Sequence, residues 1–222
     1  MVRQSAPAQT TTKRPLDTTE IQYSTLRQHL IDGRFPPGSM LLETTLSAQY
    51  GVSRTPMREA LGRLAQDGMI ERLARGFRVR ARTPEEIIDI YDARIALEST
   101  CAGLAAVRHT DFDMVRLSHL VEERRRSTDA HAFAKLNNSW HDALRSAGHN
   151  PTITELLARL DVLLEIYRSK SKQPAADRSV DDHDAILTAI RDRDGDSAEI
   201  LMRDHLRHMR DRRIANLLDM RG

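Results

Sequence analysis

The 222-residue sequence is poor in the features that mark secreted, membrane-spanning and all-β proteins. Its single cysteine, Cys101, rules out a disulfide within the chain and points to a reducing compartment, where a lone Cys serves as a small buried apolar residue. No apolar run approaches the ~20 residues that cross a bilayer, and the N-terminus lacks the apolar core of a signal peptide. A soluble, cytoplasmic protein is therefore expected. Aromatics make up only 4%, and Gly and Pro gather at a few break points instead of recurring as in a chain of short strands.

What is present is a helix-rich composition, 40% hydrophobic and 30% charged, with an uneven charge distribution. Residues 1–82 carry 13 Lys and Arg against 7 Asp and Glu, a net of +6; the remainder carries 21 against 25, a net of −4. A basic first part joined to a mildly acidic body fits a chain whose N-terminal module alone meets a polyanion.

Residues 1–17 are rich in Ser, Thr, Ala, Gln and Pro without periodicity and are expected to be a disordered tail. A helix is expected from about Thr18 to Asp32, ended by Gly33 and Pro36-Pro37-Gly38, with Leu41 and Leu42 in an extended link. Leu46 to Val52 reads as a short amphipathic helix closed by Gly51, which suits the left-handed position where such a helix ends. A second helix begins near Pro56, capped by Ser53 or Thr55. Met57, Ala60, Leu61 and Leu64 share one face of it, and Thr55, Arg58, Glu59 and Gly62 the other. Helix, tight turn and helix, with an Arg-bearing start to the second, is the layout of a helix-turn-helix that reads DNA.

Met69 to Leu73 and Phe77 to Arg80 then predict two short strands around Ala74-Arg75-Gly76. Phe77 and Val79 alternate with Arg78 and Arg80, so one face packs while the other stays basic. Arg75 sits at the tip of this hairpin, which reads as a wing for phosphate or the minor groove. The competing role is a solvated hairpin that covers the helices. Taken together, residues 18–82 resemble the winged helix-turn-helix of the GntR family of bacterial transcription regulators. The match runs from Leu46 through Gly68, including Gly51-Val52-Ser53-Arg54-Thr55-Pro56 and Arg58-Glu59-Ala60-Leu61, and extends to Pro37-Gly38 and Gly76-Phe77-x-Val79. The resemblance implies that Arg54 and Arg58 touch bases or backbone, that Thr55 binds phosphate, and that Arg75-Gly76 enters the minor groove. Many members carry Arg after the acid matching Glu43; here it is Thr44, so one operator contact is absent or the half-site differs. A guanidinium pairs bidentately with guanine, which makes Arg58 the candidate for direct readout, against the plainer role of an exposed helix arginine.

Thr83-Pro84-Glu85-Glu86 starts a second domain, residues 83–222, with a capping Thr, a first-turn Pro and acids at the helix start. Everything beyond reads as helices broken near Thr110, Ser127-Thr128, Gly148 to Asn150, Ser171 to Pro174 and Gly195, an all-α antiparallel bundle. Asn150-Pro151 opens the stripe Ile153, Leu156, Leu157, Leu160, Leu163, Leu164 and Tyr167. Polar residues interrupt the apolar stripes: Arg94 and Glu98 on the first helix, Asn137 and His141 on the third, then His183 and His205. Each is either a core polar residue bonded to a neighbour or part of a divalent metal site, since imidazoles suit such an ion and Asn137 and His141 are one turn apart.

Residues 85–218 resemble the FCD effector domain of the FadR subfamily, through Tyr91-x-x-Arg94-x-x-x-Glu98, Trp140-His141, Gly148-His149-Asn150, His183-x-x-Ile186 and His205-Leu206. In that domain an Asp or Asn and three His bind zinc, nickel or manganese; the matching residues are Asn137, His141, His183 and His205, with neutral Asn in place of the more frequent Asp. His208 is a peripheral possibility and Met209 a weaker one. Arg94 clamps the carboxylate of a small organic acid or forms a structural pair with Glu98, and both readings stand. The expected function is a homodimeric, ligand-responsive regulator that binds a palindromic operator on double-stranded DNA, a repressor released by its effector. A metal-ion sensor is the alternative; an enzyme fused to a DNA-binding module is a further one, disfavoured because no activated nucleophile and no Glu in metalloprotease spacing is present.

Overall fold

A computed structural model describes residues 18–168 and 178–219. The expected N-terminal tail lies outside them, as does the break expected at Ser171 to Pro174. The chain runs α1 (Thr18–Ile31), β1 (Met40–Leu41), α2 (Glu43–Tyr50), α3 (Arg54–Gln66), β2 (Ile70–Arg72), β3 (Phe77–Val79) and then six helices. These are α4 (Pro84–Arg108), α5 (Asp111–Arg126), α6 (Ala130–Ala147), α7 (Pro151–Arg168), α8 (Arg178–Arg191) and α9 (Gly195–Asp219). Among the described residues, no helix is long and apolar enough to cross a membrane.

The head is held by the apolar faces the sequence marks. Met57, Ala60, Leu61 and Leu64 of α3 are fully buried with Leu26 and Leu30 of α1 and Phe77 and Val79 of β3. Full burial of each of the larger of these side chains stabilises by ~1.5–3 kcal/mol. The hairpin pairs antiparallel as expected, Ile70 opposite Val79 and Arg72 opposite Phe77. It gains a third strand: Met40 and Leu41 pair with Arg78 and Phe77, so the expected extended link closes a sheet of order β1-β3-β2. Two residues give no alternation to read, which is why only tertiary context defines this strand. The short helix begins at Glu43, before Leu46, because Leu42 already accepts the first helical bond, from Leu46 N at 3.0 Å.

The body is a bundle around α4, which packs against α6, α7, α8 and α9. Thr83 forms the expected capping box: its hydroxyl accepts from Glu86 N at 3.2 Å, and its own N–H donates to the Glu86 carboxylate at 2.9 Å. Asn150 caps α7 by accepting from Ile153 N at 3.2 Å. Leu157 and Leu164 are buried as expected, whereas Leu156 of the same stripe faces outward. Cys101 is buried, and burial pushes its thiol up to about 11, consistent with an inert apolar role.

The end of α7 also serves the head. Ile166 is buried in the head's core with Val162 and Tyr167 alongside. The Tyr167 hydroxyl donates to Arg80 O at 3.0 Å and accepts from Arg82 N at 2.8 Å, pinning the link that leads into α4. Arg27 of α1 pairs with Glu165.

Candidate nucleic-acid interface and histidine centre

The α2–α3 turn presents the reading residues. Gly51 has φ 65°, the left-handed C-cap that turns the chain, and Val52 N donates to Ser47 O. Ser53 is the N-cap of α3, with its side chain unused in capping, so Thr55 lies inside the first turn instead of capping it. Arg54, Thr55 and Arg58 are all exposed at this end. First-turn amides and the helix dipole favour a phosphate here.

Arg58 is not a loose cation. Its Nε donates to Glu43 of α2 at 2.9 Å while more than half of its side chain stays exposed. Glu43 therefore fixes the stem and leaves the outer guanidinium edge facing solvent. Fifteen residues separate the two, so no local pattern reveals the pair. Thr44 is exposed on the first turn of α2, next to this cluster.

At the wing tip, Leu73 N donates to Gly76 O at 3.0 Å, and Arg75 is exposed. Gly76 has φ 84°, and a Cβ there would stand 2.7 Å from Leu41 O. Glycine is required twice over, for its backbone region and for the close approach of β1. Arg78 on the outer face of β3 pairs with Glu71 at 2.7 Å, which neutralises part of the basic face expected there.

Inside the body, His141 of α6, His183 of α8 and His205 of α9 are all buried, and one nitrogen of each lies within 4.8 Å of the others. His183 Nε2 and His205 Nε2 are 3.4 Å apart. Two imidazoles on a tetrahedral ion at ~2.0–2.1 Å stand ~3.3–3.4 Å apart, so the spacing fits. Trp140 packs flat on His183, with ring centroids 3.7 Å apart and planes at 11°. Asn137 Oδ1, one turn before His141, is buried and accepts no hydrogen bond. One turn from His141 on the same helix, an amide carbonyl oxygen without a hydrogen-bond partner is a candidate fourth ligand. His208 is exposed and stands outside the trio, which corrects its peripheral candidacy.

Two of the three rings are backed by carboxylates. His141 Nδ1 lies 2.7 Å from Glu98, and His205 Nδ1 lies 3.0 Å from Asp182. The third is not: Arg124 of α5, itself buried, places Nη1 2.6 Å from His183 Nδ1. The Arg124 guanidinium also lies over Phe133, 4.4 Å from the ring centroid. Burial pushes the His141 imidazolium down to about 4 against the pull of Glu98, and burial with the neighbouring His141, His205 and Arg124 holds His183 well below its usual value. Both rings are neutral at physiological pH, the form that ligates metal.

Glu98 is the hub behind His141. Its Oε1 accepts from His141 Nδ1 and from Arg145 Nε at 3.2 Å; its Oε2 accepts from Arg94 Nε at 2.9 Å and Arg145 Nη2 at 3.0 Å. Arg145 also reaches Asp161 of α7. Burial alone would push the Glu98 carboxyl up; Arg94, His141 and Arg145 overturn that and hold it well below its ordinary value. Arg94 thus makes the structural pair with Glu98 that the sequence allowed, and its guanidinium is buried with it.

Arg124, Arg145 and Asp182 escaped the sequence reading, yet two carried a signal. Arg124 continues the buried series Leu117, Val121 at helical spacing, and Arg145 follows His141 by one turn. Asp182 gave none beyond adjacency to His183.

Comparison with known proteins covers both parts of the chain. The model for bacterial regulatory proteins of the gntR family matches residues 19–79, and the FCD domain model matches residues 89–208. An HTH-type transcriptional regulator from an unstable DNA locus of Streptomyces ambofaciens is 31% identical over 191 residues, 83% of this chain and 80% of that protein. The gluconate operon transcriptional repressor of Bacillus licheniformis is 28% identical over 77% of this chain and 74% of its own. McbR/YncC of E. coli shares the fold with a TM-score of 0.73 at 23% identity, over 94% of this chain and all of that one. The chain therefore belongs to the GntR family of bacterial regulatory proteins, with an FCD domain behind its winged head, and is a ligand-responsive, DNA-binding transcription regulator, not an enzyme.

Proposed function

We propose that the protein is a cytoplasmic, homodimeric repressor of the FadR type, released from a palindromic operator by a small organic acid bound beside a divalent metal in the helical body. The observation that carries this reading is the buried trio His141, His183 and His205, with the partnerless Asn137 Oδ1 one turn before His141 on the same helix. Nitrogen-rich ligation suits zinc or nickel better than manganese. When bound, the ion supplies a Lewis-acidic position for a carboxylate. The chain's own residues do the rest: Glu98 and Asp182 orient the His141 and His205 rings, and Trp140 screens His183 from water.

Arg94 remains the proposed partner for the acid's carboxylate, at the cost of its bond to Glu98. Exchanging Glu98 for an effector carboxylate gives that ligand a differential affinity for two arrangements of the bundle, which is what release requires. Arg54, Thr55 and Arg58 enter the major groove, and Arg75 with Gly76 the minor groove. The repressor direction draws support from relatives named as repressors of gluconate and D-xylose operons.

The test is footprinting and fluorescence anisotropy on DNA upstream of the protein's own gene, with zinc-loaded protein and a panel of sugar acids and hydroxy acids. An effector should weaken operator binding by ~5–150-fold, a coupling of ~1–3 kcal/mol. Unchanged or tighter binding with an acid shown calorimetrically to bind would refute release. Sedimentation of the DNA-free protein as a monomer at micromolar concentration would refute the homodimer.

A further inference from the structure

Arg124 is a buried cation at the histidine centre, and its chemistry opposes the ion. A guanidinium has only donors, so Arg124 Nη1 at 2.6 Å requires a lone pair on His183 Nδ1. A neutral imidazole has one proton, which must then sit on His183 Nε2. That nitrogen faces His205 Nε2 at 3.4 Å, with the same Arg124 Nη1 at 3.5 Å, so Arg124 sits along the ring edge and is nearer to Nδ1. His141 and His205 are held the opposite way. The Glu98 and Asp182 carboxylates accept from their Nδ1–H groups and leave each Nε2 with its lone pair. Two rings are thus set for ligation, and the third is locked in the tautomer that cannot ligate through the inward nitrogen.

Charge acts in the same direction. Arg124 is buried and lies against a would-be ligand, and Asn137 contributes no negative charge. A divalent ion entering here meets the Arg124 guanidinium at close range, and Asp182 offsets only part of that charge.

We propose that Arg124 is a built-in competitor for the divalent ion: it holds His183 in the non-ligating tautomer, and an ion loads only when Arg124 gives up His183 Nδ1. This inference rests on the metal reading above and adds the residue that sets the site's affinity. Because Arg124 stands two residues from the end of α5, loading alters the anchorage of the α5–α6 junction as well as the centre itself. The site is therefore tuned for weak, reversible loading instead of a permanent structural ion.

Two measurements on the full chain test it. Arg124→Met keeps an unbranched apolar stem over Phe133 and removes the donors. Zinc affinity is read by competition with a chromophoric chelator for the parent, Arg124→Met and His141→Ala. Arg124→Met should bind zinc ~10–100-fold more tightly than the parent, the range by which outer-shell partners change metal affinity. Equal or weaker binding by Arg124→Met, with His141→Ala still abolishing it, overturns the competition and leaves the metal reading intact. Absence of zinc binding in the parent and in Arg124→Met overturns both. The second measurement does not depend on how the variant folds: long-range 1H–15N spectra of the metal-free parent report each ring's tautomer. Protonated Nε2 at His183 with protonated Nδ1 at His141 and His205 is the expected result. Protonated Nδ1 on all three rings overturns the proposal.

Discussion

Glu98→Gln is the sharpest perturbation of the body, because the two side chains differ by almost nothing except charge and one acceptor. Each Glu98 oxygen accepts from two donors: His141 Nδ1 and Arg145 Nε on one side, Arg94 Nε and Arg145 Nη2 on the other. A glutamine amide turned either way points its NH2 at two N–H groups, and leaves Arg94 and Arg145 with one buried counter-charge fewer. Removing one member of a buried ion network costs ~3–5 kcal/mol; glutamine keeps one acceptor, which places it near ~3 kcal/mol. For a chain of this size, that lowers the melting temperature by ~6–12 °C. The assay is thermal unfolding in chelator, so that no metal contributes.

The pH dependence follows from the direction of the shift. The folded Glu98 carboxyl titrates well below its usual value, so its stabilisation is complete above the unfolded ~4.3 and is lost as pH falls through the folded value. The gap between parent and variant should hold from about pH 8 to about pH 5 and narrow below about pH 4. A drop smaller than ~2–4 °C, equivalent to ~1 kcal/mol, would show that the hub does not hold the bundle and would refute the reasoning.

Arg58→Ala should weaken operator binding by ~1–3 kcal/mol and relax specificity at one position, while lowering stability by no more than ~1 kcal/mol, because the Arg58 side of its pair with the more buried Glu43 is exposed. Binding isotherms on the operator and on single-base variants check this. Gly76→Ala should destabilise the head by ~1–3 kcal/mol, since it adds a Cβ at φ 84° against Leu41 O; chemical denaturation reads the cost. Tyr167→Phe removes the hydroxyl shared by Arg80 and Arg82, and exchange of the Arg82 amide should speed up by ~5–10-fold, a loss of ~1 kcal/mol. His141→Ala should abolish zinc uptake measured by elemental analysis while leaving the head folded; retained zinc would show that other residues hold it.

What the sequence made legible was local. The Thr83 box, the Asn150 cap and the left-handed Gly51 each depend on residues within one turn, so their types suffice to place them. The apolar face of α3 was legible for the same reason, since 3.6-residue periodicity is written in one stretch. The trio of histidines was legible as three inward positions, but their convergence needs the packing of α6, α8 and α9, and the family resemblance supplied it. Pairs that cross the fold were not legible. Glu43 with Arg58, β1 with β3 and Arg124 with His183 are set by how helices and strands meet; the spacing of Arg124 from Leu117 and Val121 marks its inward face but not its partner.

The position of α7 gives the centre a physical route to the head. Asp161 on this helix takes Arg145, which shares Glu98 with His141 and Arg94. One turn further along the same helix, Glu165 holds Arg27; Ile166 and Tyr167 then enter the head's core and fix its link. A rearrangement that frees Arg94 removes a donor from Glu98 and a cation 3.6 Å from Asp161, and so changes the load on Arg145, whose separate N–H groups bridge the two carboxylates. The displacement then falls on a rigid helix whose last turn is part of the DNA-reading head. Adjacency of this kind becomes coupling only if the helix has two arrangements that ligand and operator favour differently. Because Arg94 also pairs with Asp161 at 3.6 Å, the cycle that measures this term joins Arg94→Gln to Arg27→Gln at the head end of α7, read as effector-dependent operator affinity. An interaction energy near zero would mean that the ligand does not act on the head through α7.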